Sequence, residues 1–291
     1  MYPPRFQYEA PTSVAEAIQL LSSSGGDAKI LAGGQSLIPL LKLRFAEPAT
    51  IIDINGIPDL DYLNFESDGS IRIGALCRHA ALERSTELGD HQPVMAAAAP
   101  LVADPIVRNR GTLVGSLCHA DPQGDWASVM VALGGSLVVQ GPKGKRTIPV
   151  ADLVNGPFET VLAPDEMGIE AVVPAPSGRP MGGYLKLERR VGDFATVATA
   201  VSVDMNGSSV SRAGIALTAV GPTTIDASEA AARLQGTSLS ETDIAEAAEL
   251  AAGVAQPHSD HRGSADYKKH IVRTFVERLL GRVAASAQKV A

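Results

Sequence analysis

The chain has 291 residues, of which 45% are hydrophobic and 20% charged. That balance can bury a sizeable core and excludes a disordered protein, and the length allows about two domains or three small ones. A formal net charge of −7 makes nucleic acid and anionic membranes poor partners. Two cysteines, Cys77 and Cys118, exclude a disulfide scaffold and any four-thiolate zinc or iron–sulfur centre held by this chain alone.

The segment Met1 to Arg5 lacks the apolar stretch of a signal peptide. The longest apolar run, residues 94–103, is about half a membrane span and contains Pro100. A soluble cytoplasmic protein is expected.

The first fifty residues read as β-α-β. Ser13 and Glu16 have capping-box spacing, and Val14, Ala17, Ile18 and Leu21 share one helical face before Gly25-Gly26 stops it. Residues 28–31 and 50–54 read as buried strands; residues 37–43 fit either helix or strand. Mixed α and β continues to residue 176: a strand over 70–75, helices over 79–85, 93–103 and 127–133, and a strand over 136–140 with a hairpin turn at 141–144. Residues 108–126 read as polar, glycine-rich and irregular. The proline-rich stretch 174–180 is the expected linker. Three strands follow at 184–188, 196–205 and 211–220, the last two joined at Asn206-Gly207. The remainder is helical, with one face on Ile244, Ala247, Ala248, Ala251 and Val254, and another on Tyr267, Ile271, Phe275 and Leu279. The expected units are 1–56, 57–176 and 177–291, the last a separate α+β domain.

Two segments invite chemistry. Ala32-Gly33-Gly34-Gln35-Ser36 follows a buried strand, where positive φ at glycine can expose successive N–H groups to an anion. A plain strand-to-helix turn is the alternative, and the G-x-G-x-x-G nicotinamide fingerprint is missing. In residues 107–126, Gly111 and Gly115 flank Thr112 and Ser116, again a backbone cradle for phosphate. Asp121 and Asp125 would repel phosphate yet can accept from sugar or ribityl hydroxyls; ordinary turn and cap chemistry is the other reading.

Together the two turns resemble the FAD-binding subunits of molybdenum-containing hydroxylases, namely carbon monoxide dehydrogenase medium subunits and xanthine dehydrogenase FAD domains. The resemblance begins at Phe6-Gln7-Tyr8 and Pro11-Thr12-Ser13, continues through Lys186 to Ala195, and ends with Asp260 to Tyr267. It implies an α+β, two-subdomain FAD-binding fold (vanillyl-alcohol-oxidase/MurB-like), followed by a small α+β domain with an antiparallel three-stranded sheet and helices. Gln35 stands at the place of the family's His or Thr. Thr112-Leu113-Val114-Gly115-Ser116 departs from the family's Thr-Ile-Gly-Gly-Asn; Val114 brings a Cβ and Ser116 a shorter side chain.

The resemblance implies that Ala32, Gly33, Gly34, Gln35 and Ser36 line the FAD diphosphate, with Thr112, Val114, Gly115 and Ser116 opposite, and that Leu37 and Gly111 belong to the same cofactor-binding set. Val102, Ile106, His119, Ala120 and Asp121 complete the implied cofactor-binding set. Asp125 matches an acid on the ribityl chain. Lys186 matches a lysine at the flavin's pyrimidine edge, where a fixed cation raises the potential; a water-facing strand lysine is the alternative. Phe194 matches an aromatic against the isoalloxazine ring, with core packing as its alternative. Trp126 and Cys77 read as core, and a nucleophilic Cys118 is set aside. No catalytic residue and no metal ligand is assigned.

By the same resemblance, molybdopterin cytosine dinucleotide and two [2Fe–2S] clusters belong to large and small partner subunits in a dimer of heterotrimers. This chain would take electrons from the clusters through FAD to quinone, NAD or O2. An autonomous FAD-dependent oxidoreductase and a non-flavin assembly subunit stay open.

Overall fold

Of the first strands only β3, Thr-Ile-Ile-Asp, rests on a β-branched run. In a computed structural model describing residues 2–288, β1 (Gln7–Glu9), β2 (Ala28–Leu31) and β3 (Thr50–Asp53) form a parallel sheet in the order β1-β3-β2. Helix α1 (Val14–Ser23) buries Ala17, Ile18 and Leu21. Its cap is only half a box: Ser13 accepts from the Glu16 amide, but the Glu16 carboxylate accepts from the Thr12 amide at 2.8 Å. The ambiguous segment after the first turn is helix α2 (Leu37–Leu43).

An antiparallel sheet follows. It contains β4 (Leu63–Phe65), β5 (Ile71–Gly74), β6 (Ser136–Gly141), β7 (Gly144–Pro149) and β10 (Met167–Val173), in the order β4-β5-β10-β6-β7. The small hairpin of β8 (Val154–Gly156) and β9 (Glu159–Thr160) lies outside it. Between β5 and β6 run α3 (His79–Arg84), α4 (Thr86–His91), α5 (Pro93–Ala98), α6 (Pro105–Arg108), α7 (Leu113–His119) and α8 (Asp125–Leu133). The stretch expected to be irregular therefore holds α7 and the start of α8. Thr112 caps α7 by accepting from the Gly115 amide at 3.1 Å, while Leu113, Val114 and Leu117 bury one face. Burial and a cap outweigh the internal glycine.

The third sheet is antiparallel, β11 (Arg179–Leu187), β12 (Val197–Asn206), β13 (Ser209–Thr218) and β14 (Ile225–Asp226) in sequence order. It has four strands rather than three, the fourth a two-residue edge. β11 starts at Arg179, which shortens the linker. Nine of the ten β12 residues are buried. One face of the sheet carries α9 (Ser228–Leu234) and α11 (Ala265–Gln288), and α10 (Glu241–Val254) packs against those two helices. On α11, Phe275 and Leu279 are buried, whereas Tyr267 is 44% exposed. The other face receives α8 and α5. The fit is close: a Cβ at Gly214 of β13 would collide with the Ala132 carbonyl of α8, and Thr218 donates to Ser128 at 2.6 Å.

Candidate functional site

The first glycine turn joins β2 to α2. Gly33 is required by proximity rather than by φ: a Cβ there would strike the Arg110 carbonyl and lie 2.7 Å from Gly111 Cα. Gly34 is the residue with positive φ, +74°, so only one of the two glycines adopts the expected left-handed turn. Among the described residues, the amides of Gly34, Gln35 and Ser36 donate to no backbone acceptor. The Gln35 side chain folds back onto the Gly33 carbonyl at 3.3 Å. Ser36 precedes α2 without capping it, leaving its hydroxyl unengaged there.

The second turn meets the first at Gly33. Thr112 uses its hydroxyl on the Gly115 amide, so that N–H is already satisfied. Val114 is 2% exposed, and its side chain faces the interior near Gly168; its Cβ does not intrude on the turn. Ala120 ends α7 in a left-handed conformation, φ 52°. Asp121 accepts from the Gln123 amide at 2.9 Å, a turn-forming bond. The His119 ring lies 5.2 Å from Phe158.

Side chains that sequence reasoning missed hold these turns together. Arg78 donates to the Arg110 carbonyl at 2.7 Å and to Asn55 Oδ1 at 2.5 Å. Asn55 Nδ2 donates to the Ala32 carbonyl at 2.9 Å. A guanidinium thus stands beside both turns, so backbone amides are not the only positive groups available. Gly111 abuts the His79 ring, whose Nδ1 accepts from the Trp126 indole N–H at 3.0 Å. Burial, then the nearby Arg108 and Arg78 charges, push His79 down to about 4. It is a neutral acceptor inside the core. Nothing in the local sequence pairs residue 78 with residue 55 or 79 with 126.

A charged group lies behind the second turn. Lys186 of β11 has a side chain 1% exposed, lying 3.1 Å from Asp125 Oδ2 and 3.7 Å from Glu188 Oε2. It also donates to the Leu101 carbonyl at 2.9 Å. Tyr184 donates to the other Asp125 oxygen at 2.7 Å. The water-facing alternative for Lys186 is overturned, and both Asp125 oxygens are engaged by this chain. Burial raises the Asp125 carboxyl, opposed by Lys186 and Tyr184.

Val102 is buried, whereas Ile106 is 77% and Phe194 52% exposed. Phe194 is therefore not a core residue. Trp126 is fully buried and Cys77 nearly so. Burial pushes the Cys77 and Cys118 thiols up to about 12, which removes any nucleophilic role at neutral pH.

A family model described as the FAD binding domain in molybdopterin dehydrogenase matches residues 4–176, and one described as the CO dehydrogenase flavoprotein C-terminal domain matches residues 183–283. The carbon monoxide dehydrogenase medium chain of Hydrogenophaga pseudoflava is 41% identical over 280 residues, 96% of this chain and 97% of that one. The 6-hydroxypseudooxynicotine dehydrogenase complex subunit alpha of Paenarthrobacter nicotinovorans is 39% identical, covering 99% of this chain and 97% of its own. A solved carbon monoxide dehydrogenase from Hydrogenophaga pseudoflava superimposes with a TM-score of 0.93, at 41% identity, over 99% of each chain.

Fold and paired turns define an FAD-binding flavoprotein of the molybdenum-dependent oxidoreductases. The chain belongs to the family of FAD-binding medium subunits of carbon-monoxide-dehydrogenase-type molybdenum enzymes. The residues present suit that cofactor: a turn that a Cβ at Gly33 would obstruct, three unengaged amides and an adjacent guanidinium fit a diphosphate. Among the described residues no helix is long and apolar enough to cross a membrane.

Proposed function

We propose that this chain holds FAD across its two glycine turns and passes electrons between a partner's [2Fe–2S] clusters and an external acceptor. The observation that supports the reading is the contact of Gly33 with Arg110 and Gly111, which sets two turns 77 residues or more apart side by side, where their amides could share one anion. Residues 1–56, 57–176 and 177–291 are taken as the three working units. Residues 32–37 would bind one side of the diphosphate and residues 111–116 the other, with Arg78 adding charge. Val102, Ile106, His119, Ala120 and Asp121 would border the remainder of the cofactor, and Phe194 would cover one face of the flavin ring.

Bound FAD supplies reversible one- and two-electron chemistry. The chain's part is to bind, orient and shield it. Lys186 would stand near the pyrimidine edge, but with Asp125 at 3.1 Å its charge is largely balanced. Its effect on the flavin potential is smaller than that of an unpaired cation. Because Asp125 already serves Tyr184 and Lys186, its role toward the ribityl chain would be shared with structural support.

The organic substrate would be oxidised on a large subunit carrying molybdopterin cytosine dinucleotide, with the clusters on a small subunit, the whole a dimer of heterotrimers. The test is purification of the chain together with its neighbours in the genome. FAD in this chain, with iron and molybdenum on two co-purifying chains, is the expected result. A yellow chain that stays alone selects an autonomous oxidoreductase. A colourless chain that takes up no FAD overturns the reading.

A further inference from the structure

The motif Asp260 to Tyr267 contributes nothing to the turns described above, yet it ties down the loop that carries Phe194. Arg262 Nη1 donates to the Phe194 carbonyl at 2.8 Å and to the Ala195 carbonyl at 3.4 Å, and Nη2 lies 3.3 Å from Asp193 Oδ1. Arg262 is held in turn. Asp260 accepts from the Arg262 amide at 2.8 Å and pairs with Lys268 Nζ at 2.8 Å. Lys268, 3% exposed on α11, also donates to the His258 carbonyl at 3.0 Å. A continuous chain of charge-assisted bonds runs from the C-terminal helix to residues 193–195.

Packing fixes only part of this loop: a Cβ at Gly192 would lie 3.3 Å from the Ala103 carbonyl, and Ala195 and Thr196 are buried. Val191 is 96% exposed and Phe194 52%, so the segment between β11 and β12 buries little of its tip. At the base of the loop an open cleft of about 390 Å³ is bordered by Ala195, Thr196, Arg262 and Lys268 on one side and by Asp121, Pro122 and Phe158 on another. The Thr196 amide donates to the Leu187 carbonyl at 2.7 Å and closes the base of the loop. The half-exposed Phe194 is held through its backbone by the Arg262 bonds rather than by burial of its ring, so a single side chain can set its position.

We propose that Arg262 is the positioning residue for Phe194, fixing the aromatic ring against the flavin from the C-terminal domain. The proposal rests on the reading that Phe194 meets the flavin. Lys268 and Asp260 keep the guanidinium aimed, and the three acceptors at residues 193–195 use its fork geometry, which a lysine cannot match.

The test compares Phe194→Ala, Arg262→Ala, Arg262→Lys and the double variant Phe194→Ala/Arg262→Ala in the purified, FAD-loaded full chain. The readouts are the flavin absorption and circular dichroism bands and the affinity for FAD by fluorescence titration. Phe194→Ala is expected to shift the flavin bands. Arg262→Ala should shift them in the same sense and weaken FAD by about ten-fold, with Arg262→Lys restoring only part. The double variant should match Phe194→Ala alone. If Phe194→Ala shifts the bands and Arg262→Ala does not, the positioning role is wrong while the flavin reading stands. If Phe194→Ala leaves the bands unchanged, the flavin-facing reading fails, and the proposal with it. Should Arg262→Ala not fold, Arg262→Gln carries the same comparison, and an unshifted spectrum there is equally decisive against it.

Discussion

Arg78 and Asn55 form one bridge across the two glycine turns, joined at 2.5 Å and reaching the Arg110 carbonyl on one side and the Ala32 carbonyl on the other. Neither residue belongs to a glycine-rich segment. The bridge ties the two turns to each other and, on the proposed reading, sets the span that a diphosphate would fill. Arg78→Met should release the walls at a cost of about 1–3 kcal/mol in stability, with FAD affinity lowered about ten-fold or more. Urea unfolding and a fluorescence titration with FAD measure the two effects.

Gly33→Ala should be harmful for a different reason. Its Cβ meets backbone, the Arg110 carbonyl and Gly111 Cα, and neither can rotate away. The expected cost is about 1–3 kcal/mol, with the flavin content of the purified protein falling sharply. Gly25→Ala, where a Cβ finds open space but φ is +60°, should cost only about 1 kcal/mol and leave flavin content intact.

His79 makes stability fall in acid. Its pKa is about 4 in the folded chain against roughly 6.5 when unfolded. Between those values the unfolded state binds the extra proton. Stability contributed by the neutral ring is therefore complete above about pH 6.5, declines as pH falls toward 4, and changes no further below that. The full loss is on the order of 3 kcal/mol. His79→Phe should flatten this limb while costing about 1–3 kcal/mol at neutral pH, because the Trp126 N–H loses its acceptor. Denaturant unfolding from pH 4 to 7.5 separates the two.

Asp125→Asn leaves Lys186 buried with Glu188 at 3.7 Å as its remaining counter-charge. A loss of about 3–5 kcal/mol is expected. Asp125→Asn/Lys186→Met should recover part of it, since removing both charges avoids an uncompensated ion. A double-mutant cycle in urea provides the coupling, and additive losses would mean that the two side chains do not interact.

Both thiols should resist reagents. With Cys77 and Cys118 held at about 12 by burial, a chromogenic disulfide at pH 7 should react with neither until denaturant is added. Rapid reaction of the native protein would contradict this.

Much of the frame was legible because it is local. The 3.6-residue spacing of Ala17, Ile18 and Leu21 and the Asn206-Gly207 hairpin both appear as read. Helix α7 was not legible. Gly111 and Gly115 resemble breakers until Thr112 is seen capping one of them and Val114 is seen facing inward. The site is legible at its glycines and nearly silent elsewhere. Lys186 and Asp125 stand 61 residues apart, and no spacing rule links a strand lysine to a helix-start acid. The burial of Lys186 is a property of the sheet that receives α8. The edge strand β14 escaped notice because two residues are too few to carry a period.

The seat of α8 on β13, where the Ala132 carbonyl occupies the space above Gly214, bears on biosynthesis. The helix leaves the ribosome long before its floor exists. A nascent chain paused near residue 176 would display Val94, Ser128 and Ala132, which meet Gly182, Thr218 and Gly214 of that floor and are buried in the finished molecule, to every chaperone in reach. Gene fusions or truncations at the proline-rich stretch should therefore yield inclusion bodies rather than two free-standing halves.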